Sequence, residues 1–456
     1  MNVLWIMADQ LRWDYLSCAG AKHIDTPNID WLASRGVRFN RTYVQSPICG
    51  PSRMSYYTGR YVRSHGATWN GFPLRVGEVT LGDHLRELGV DCCLVGKTHM
   101  TPDVDGMKRL GIEPESTIGA LVSECGFDVF VRDDGTNATI YPNRHAQDYD
   151  AYLRRHGMDG DNPWEEWANS AIGPDGEMRS GWLLENAPLP ARVPKEHSET
   201  AWLTTRGVEF IESRKDNNTP WLCHLSYIKP HWPYLAPAPY NNMYSADDLP
   251  PVNRTDAERH TDHPLMKCWI DTRICQSFSR DDIRNTVAPV YMGLIKELDD
   301  QLGRLFQYLR DSGTIDNTMV VFCSDHGDNM GDHWLGEKDL FHDCSARVPL
   351  IIYDPRNAAA GTRGTCQEAL VEGIDLTPTF IDYFGGQHKP HMLEGRSLTH
   401  WLHGQTTPTW RNYCISEYDY STRDARRAVG VDQSDARLTM VFDGRFKYVY
   451  VETMRP

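Results

Sequence analysis

Five short, nearly continuous apolar runs constrain this chain more than any other feature. They are Val3–Ala8, Val90–Val95, Trp221–Tyr227, Thr318–Cys323 and Val348–Tyr353. A run of that length without a regular polar side has to be covered on both faces, as strands are in a parallel sheet sandwiched by helices. Helical segments stand between the runs: Asn28–Arg35 stopped by Gly36, Pro51–Gly59 with Pro near its start and Gly at its end, Leu81–Leu88 stopped by Gly89, a long amphipathic helix within Arg284–Ser312, and Leu376–Phe384 ended by Gly385. Val37–Tyr43 alternates like a half-buried strand. The pattern predicts an α/β fold with a large central, mostly parallel (mixed) sheet flanked by helices.

Two regions depart from it. Residues 100–200 are rich in Asp, Gly, Pro and Trp and read as loop, a wall for a site. After Gly385, Trp410–Tyr418, Ala428–Asp432, Ala436–Phe442 and Phe446–Val451 read as short antiparallel strands with turns such as Asp443-Gly444. The expected division is an α/β domain over 1–385 and a smaller antiparallel α+β subdomain over 386–456.

Composition removes several function classes. With 47 basic and 62 acidic residues the formal charge is −15, which argues against broad nucleic-acid binding. No run approaches the roughly 18 apolar residues of a membrane span. The start, MNVLWIMADQ, lacks a basic n-region and a small-residue cleavage site, so the 12 cysteines are expected as reduced thiols in the cytoplasm.

Polar clusters close the runs: Asp9-Gln10, Lys97-Thr98-His99, Lys229-Pro230-His231 and Asp325-His326. In open α/β sheets the ligand crevice lies beyond the carboxyl ends of the strands, so these segments are expected to converge. Cys49-Gly50-Pro51-Ser52-Arg53 is the sharpest local signal. It places a thiol before a helix N-terminus, whose amides favour anions.

The pentapeptide matches Cys-x-Pro-Ser-Arg, and with the other clusters the chain resembles the type I, formylglycine-dependent sulfatases of the alkaline phosphatase superfamily. The resemblance runs from Asn2 to about Pro355 and into the C-terminal strands. It implies that Cys49 is oxidised to formylglycine, whose gem-diol is the nucleophile, and that Arg53 adds a fixed positive charge. It implies one divalent cation, Ca2+ or Mn2+, held by Asp9, Gln10, Cys49, Asp325 and His326. Lys97 would bind the sulfuryl oxygens, His99 would act as a base on the diol, and His231 would contact a sulfuryl oxygen or protonate the leaving alcohol. Lys338 would be a second cation on the leaving oxygen, and Asn70 a polar substrate contact.

Gln10 stands where sulfatases usually carry a second Asp, while His326 is, with Asn, one of their usual partners for the Asp of the second pair; the Asp-Gln and Asp-His pairs together match the phosphonate monoester hydrolase branch. So do Asp262–Lys267 and Tyr240–Tyr244. That branch, however, carries Tyr and Thr where this chain has Lys97 and His99, the sulfatase arrangement. The implied activity is hydrolysis of sulfate monoesters, arylsulfatase-like, with promiscuity toward phosphonate monoesters and phosphodiesters; the alternative is a phosphonate monoester hydrolase or phosphodiesterase. A two-metal phosphatase with a Ser or Thr nucleophile is disfavoured by the Cys49 pentapeptide, and a non-catalytic binding homologue by retention of the whole set. Trp69, Trp164, Trp232 and Tyr234 suggest a leaving group with an apolar face. The implied partners are a small ester substrate, a formylglycine-generating enzyme during maturation, and a second copy of the chain, a dimer in preference to a tetramer.

Overall fold

In a computed structural model, which describes residues 1–135, 148–406 and 409–452, the first apolar run shows why it has no polar side. Strand β1 (Asn2–Asp9) divides its side chains between two cores: Leu4, Ile6 and Ala8 enter one, and Val3, Trp5 and Met7 the other. The rest of the central sheet is β2 (Val37–Tyr43), β3 (Asp91–Gly96), β4 (Asp128–Arg132), β5 (Trp221–Pro230), β6 (Thr318–Ser324), β7 (Arg347–Val348), β8 (Leu350–Tyr353) and β9 (Thr365–Glu372). Across the sheet the order is β9-β2-β8-β6-β1-β5-β3-β4, with β7 paired to β2. Pairing along this path is parallel except at β8, which runs antiparallel to both neighbours; β7 is antiparallel to β2.

Helices α1 (Pro27–Arg35), α2 (Cys49–Thr58), α3 (Glu199–Ser213), α4 (Asp281–Asp311) and α5 (Leu376–Tyr383) cover the sheet. Ile29 and Leu32 of α1, Trp202 and Phe210 of α3 and Leu294 and Leu298 of α4 share the core of Leu4 and Ile6. Met54 and Tyr57 of α2 and Leu376 and Phe380 of α5 share that of Val3 and Trp5. The structure is thus three layers, helix–sheet–helix, as the continuous runs require.

Strands β10 (Cys414–Asp419), β11 (Arg437–Phe442) and β12 (Lys447–Val451) form an antiparallel sheet in that order. Tyr418 and Met440 of this sheet share a core with Trp269, which precedes β6 in the chain, and with Leu340 and Phe341, which follow it. Arg411 adds a buried ionic tie, pairing with Glu372 and Asp375.

The structure corrects three sequence readings. Val348–Tyr353 is broken at Pro349, which has no N–H for a ladder, into β7 and β8. Ala428–Asp432 is not a strand: helix Asp424–Val429 occupies its first part and Gly430, at φ +71°, stops it in the left-handed region. Within 100–200, Val104–Arg109, Thr117–Val122 and Asp148–Arg155 are helical and β4 is a sheet edge; residues 136–147 of that stretch lie outside the described residues. Among the described residues no helix is long and apolar enough to cross a membrane. All twelve cysteines are free thiols.

Candidate active site

Strands β6, β1, β5 and β3 are adjacent and parallel, so their carboxyl ends lie side by side. Asp325-His326, Asp9-Gln10, His231 just past β5 and Lys97 are therefore brought to one edge of the sheet, as the post-strand clusters predict. The turn out of β3 depends on Gly96, at φ +109°: a Cβ there would lie 2.0 Å from the Ser226 carbonyl oxygen of β5. Helix α2 brings Cys49 to the same edge. Its first turn is fastened to the end of β6, with Ser52 Oγ donating to the Asp325 carbonyl at 2.6 Å and Tyr56 OH to that of Ser324 at 3.0 Å.

Cys49 is fully buried at the α2 N-terminus. Its Sγ lies 3.0 Å from His326 Nε2, 3.0 Å from Lys338 Nζ and 3.8 Å from Asp9 Oδ1. Burial and Asp9 push the thiol up, but Lys338, His326 and Lys97 outweigh them and hold it below its ordinary pKa. Burial also opposes charge on Asp9; Lys97, His231, Arg53 and His326 nevertheless hold its carboxyl well below the usual range.

Arg53 lies beneath the cluster, wholly buried. It donates to Asp325 Oδ2 at 2.8 Å, Asp9 Oδ2 at 3.1 Å, the Lys97 carbonyl at 2.9 Å and Ser226 Oγ at 2.8 Å. Lys97 Nζ takes the same Asp9 Oδ2 at 2.6 Å. The outer oxygens of both carboxylates are thereby occupied. Arg53 is a positioning residue, aligning two carboxylates and the strand ends that carry them.

Lys338 Nζ is the hub of the outer half. Besides Cys49 it meets His231 Nε2 at 2.9 Å and Gln10 Oε1 at 3.2 Å. His231 Nδ1 faces the Trp232 carbonyl, which can only accept, so Nδ1 carries the proton and Nε2 accepts from Lys338. Burial, reinforced by Lys338, lowers the His231 pKa well below its ordinary value. His99 has φ +54° and donates its backbone N–H to Asp134 Oδ1 at 3.1 Å. Its Nδ1 is buried with no partner among the described residues, and burial with Lys97 keeps the ring neutral. Asn70 Oδ1 accepts from Gly50 N–H at 2.8 Å, capping the first turn of α2 beside Cys49.

The donor set fits a single metal ion. Ligand atoms of Asp9, Cys49, Asp325 and His326 all lie within 4.8 Å of one another. His326 Nδ1 donates to the Gly327 carbonyl at 2.8 Å, which leaves the Nε2 lone pair turned to the cluster. Gln10 Nε2 is committed to Asp328 and Tyr234, which leaves Oε1 turned the same way. Two carboxylates, an amide oxygen and an imidazole suit a hard or borderline divalent cation.

Several contributors carry no signal of their own in the sequence. Asp328 accepts from Gln10, Ser226 from Arg53, and Tyr291 OH donates to the Gln10 carbonyl at 2.7 Å, holding that residue at φ +64°. Asp328 stands in the turn Asp325-His326-Gly327-Asp328, where a further acidic residue was the available hint. The aromatic reading needs revision. Tyr234 is buried with its hydroxyl on Asp328, and Trp164 is buried with Nε1 on Glu199. Trp69 packs edge-on against Tyr418 beneath Arg423, while Trp232 stacks on His231 with ring centroids 5.1 Å apart. Lys229 turns inward, donating to the Pro233 carbonyl at 2.9 Å.

Comparison with known proteins identifies the family. The family model described as Sulfatase matches residues 1–386, and the model for the C-terminal part of N-sulphoglucosamine sulphohydrolase matches 331–449. The multifunctional alkaline phosphatase superfamily protein PehA of Trinickia caryophylli is 34% identical across 100% of this chain and 88% of its own length. An arylsulfatase of Clostridium perfringens is 29% identical over 92% of this chain and 82% of its own. Among solved structures, the phosphonate monoester hydrolase of Silicibacter pomeroyi superposes with a TM-score of 0.85 at 30% identity, covering 99% of this chain and 87% of that one. That of Agrobacterium radiobacter gives 0.82 at 29% identity, with the same coverage. Fold, strand-end cluster and whole-length similarity agree, and the chain belongs to the sulfatase family, the sulfuric ester hydrolases of the alkaline phosphatase superfamily.

Proposed function

We propose that the protein hydrolyses sulfate monoesters, arylsulfatase-like, with residue 49 acting as formylglycine. The observation that carries this reading is the convergence of Lys338 Nζ, His326 Nε2 and Asp9 Oδ1 on Cys49 Sγ, which stands where the oxygens of the hydrated aldehyde would be. When present, the hydrated aldehyde supplies an oxygen nucleophile with a second hydroxyl for releasing sulfate, and a divalent cation, Ca2+ or Mn2+, offsets the charge of the ester anion.

The chain's own groups do the rest. Asp9, Gln10, Asp325 and His326 would hold the ion. Lys97 binds the sulfuryl oxygens, and the positive end of the α2 dipole favours the anion there. Neutral His99 accepts a proton from the nucleophile. Lys338, with its ammonium held by His231 Nε2, donates to the bridging oxygen as it gains charge. Asn70 orients the ester beside the first turn of α2. A maturation enzyme that generates formylglycine, a homo-oligomeric state and a cytoplasmic location go with this reading and rest on sequence alone.

Likeness to two phosphonate monoester hydrolases favours accompanying activity on phosphonate monoesters and phosphodiesters, since one cationic clamp stabilises all three transition states. The test is a kcat/KM panel across the three ester classes, for the parent and a Lys97→Tyr, His99→Thr double variant. Loss of a positioned donor typically costs ~2.7–4 kcal/mol of transition-state stabilisation. Sulfate hydrolysis is expected to be best or near best in the parent, and to fall more than phosphodiester hydrolysis in the variant. An unchanged ratio, or a parent preferring phosphonates by orders of magnitude, would instead make the protein a phosphonate hydrolase.

A further inference from the structure

Gln10, Asp328 and Tyr234 form a closed triangle of hydrogen bonds behind the metal-binding cluster. Gln10 Nε2 donates to Asp328 Oδ2 at 2.6 Å and to Tyr234 OH at 3.1 Å, and Tyr234 OH donates to the same Oδ2 at 2.6 Å. All three side chains are buried. Asp328 Oδ1 is fixed separately by the Met330 N–H at 2.8 Å, so the carboxylate cannot turn to relieve a mismatch.

We propose that Asp328 is a metal-positioning residue, and that residues 10 and 328 form a matched donor–acceptor pair deciding what position 10 offers the ion. The inference rests on the reading of Asp9, Gln10, Asp325 and His326 as metal ligands. A glutamine has two ends that differ only in hydrogen bonding. A carboxylate at 328 accepts only, so it takes the NH2 end of Gln10 and turns Oε1 toward Lys338 and Cys49. Asp328 thus makes position 10 a neutral oxygen ligand while staying outside the ligand shell itself. It also explains why an acid does not stand at position 10. A carboxylate there would confront that of Asp328 across a 2.6 Å contact in a buried site, two acceptors with no donor between them.

The pair should be exchangeable. Asp328→Asn removes the acceptor that takes the NH2 end of Gln10, leaving only the longer Lys338 contact at Oε1 to oppose a flip that presents the NH2 end, which no cation binds. Gln10→Glu sets two carboxylates face to face. With both substitutions together, the new amide at position 328 donates to the new carboxylate at position 10, and Tyr234 OH donates to that carboxylate in place of its bond to 328. Total charge is conserved, with the negative charge moved into the ligand shell. A merely structural role for Asp328 predicts no such recovery.

The experiment titrates Mn2+ and, separately, Ca2+ into wild-type protein and the three variants in the same maturation state. Free Mn2+ is read by its paramagnetic resonance signal and Ca2+ by competition with a chelating dye; thermal melting verifies folding. Groups that orient a metal ligand from outside the shell typically carry about 10–100-fold in affinity, and Asp328→Asn is expected to lose that much, while Gln10→Glu, facing the Asp328 carboxylate, is expected to bind more weakly than the double variant. The double variant is expected to recover to within about threefold of wild type or to bind more tightly, as an added carboxylate ligand raises cation affinity. If a single variant does not fold, the double variant decides: folded with recovered affinity supports the pair, folded without it overturns it. Asp328→Asn binding like wild type, or a double variant as weak as the two losses combined, overturns this inference alone. No ion bound by the wild-type protein overturns the metal reading and this inference with it.

Discussion

Asp325→Ala is expected to lose both the metal ion and turnover. Asp325 Oδ2 holds Arg53, and Oδ1 accepts the backbone N–H groups of Gln10 at 3.1 Å and His326 at 3.0 Å. One side chain therefore serves as a ligand and fixes the two residues that flank it in the ligand set. Outer partners of a metal ligand alone carry about 10–100-fold in affinity, so deleting the ligand should cost more than about 100-fold. It also leaves the buried Arg53 guanidinium short of a partner, which costs about 3–5 kcal/mol of stability. Asp325→Asn keeps one oxygen for Arg53 but turns its NH2 toward the Gln10 and His326 N–H groups, so part of the stability should return while the ion is lost. Elemental analysis should give one ion per chain in the parent, and melting curves report the stability term. Full activity after exhaustive chelation, with no ion retained, would refute this account of the cluster.

Lys338→Met should lower kcat by about 10²–10³ with much less change in KM, the usual cost of removing one donor from a developing oxyanion. The side chain fills similar space but removes the ammonium that touches Cys49, His231 and Gln10 together. Because Lys338 is assigned to the bridging oxygen, the loss should grow as the leaving group becomes more basic. An alkyl sulfate should suffer more than a nitrophenyl sulfate. Steady-state kinetics across a leaving-group series measures this, and equal losses for all leaving groups would remove Lys338 from that role.

The central sheet was legible because its strands are buried on both faces, which writes them as continuous apolar runs. The edge strands were not. β9 begins Thr365-Cys366-Gln367-Glu368, mostly exposed, and β4 is a sheet edge whose first three residues are exposed or half-buried. β8 was legible as a strand but not in its direction: the chain reverses over the connection 325–346 after β6, and composition does not write which way a buried strand runs. At the site, ligand-bearing residues follow strands directly, so their convergence could be read from spacing. What sits behind them could not. The contacts of Ser226 with Arg53, Tyr291 with Gln10 and Asp328 with Gln10 join residues hundreds of positions apart or turn on which end of an amide faces inward. Tyr234 and Trp164 show the converse: an aromatic residue in a loop-rich stretch reads the same whether it lines a pocket or is tied to a buried carboxylate. Arg53 was legible as a charge beside the nucleophile, but its task became clear only when its four hydrogen bonds were seen to turn away from the open side.

The oxidation state of residue 49 tests the central claim most directly. Cys49 is enclosed by a lysine, an imidazole and a carboxylate, an environment suited to an anionic oxygen nucleophile that must later be released. Peptide mass spectrometry of purified active protein should find the aldehyde or its hydrate at position 49, in a fraction that tracks specific activity between preparations. Cys49→Ala should carry neither the modification nor the activity. Fully active protein with only an unmodified thiol at position 49 would contradict the account.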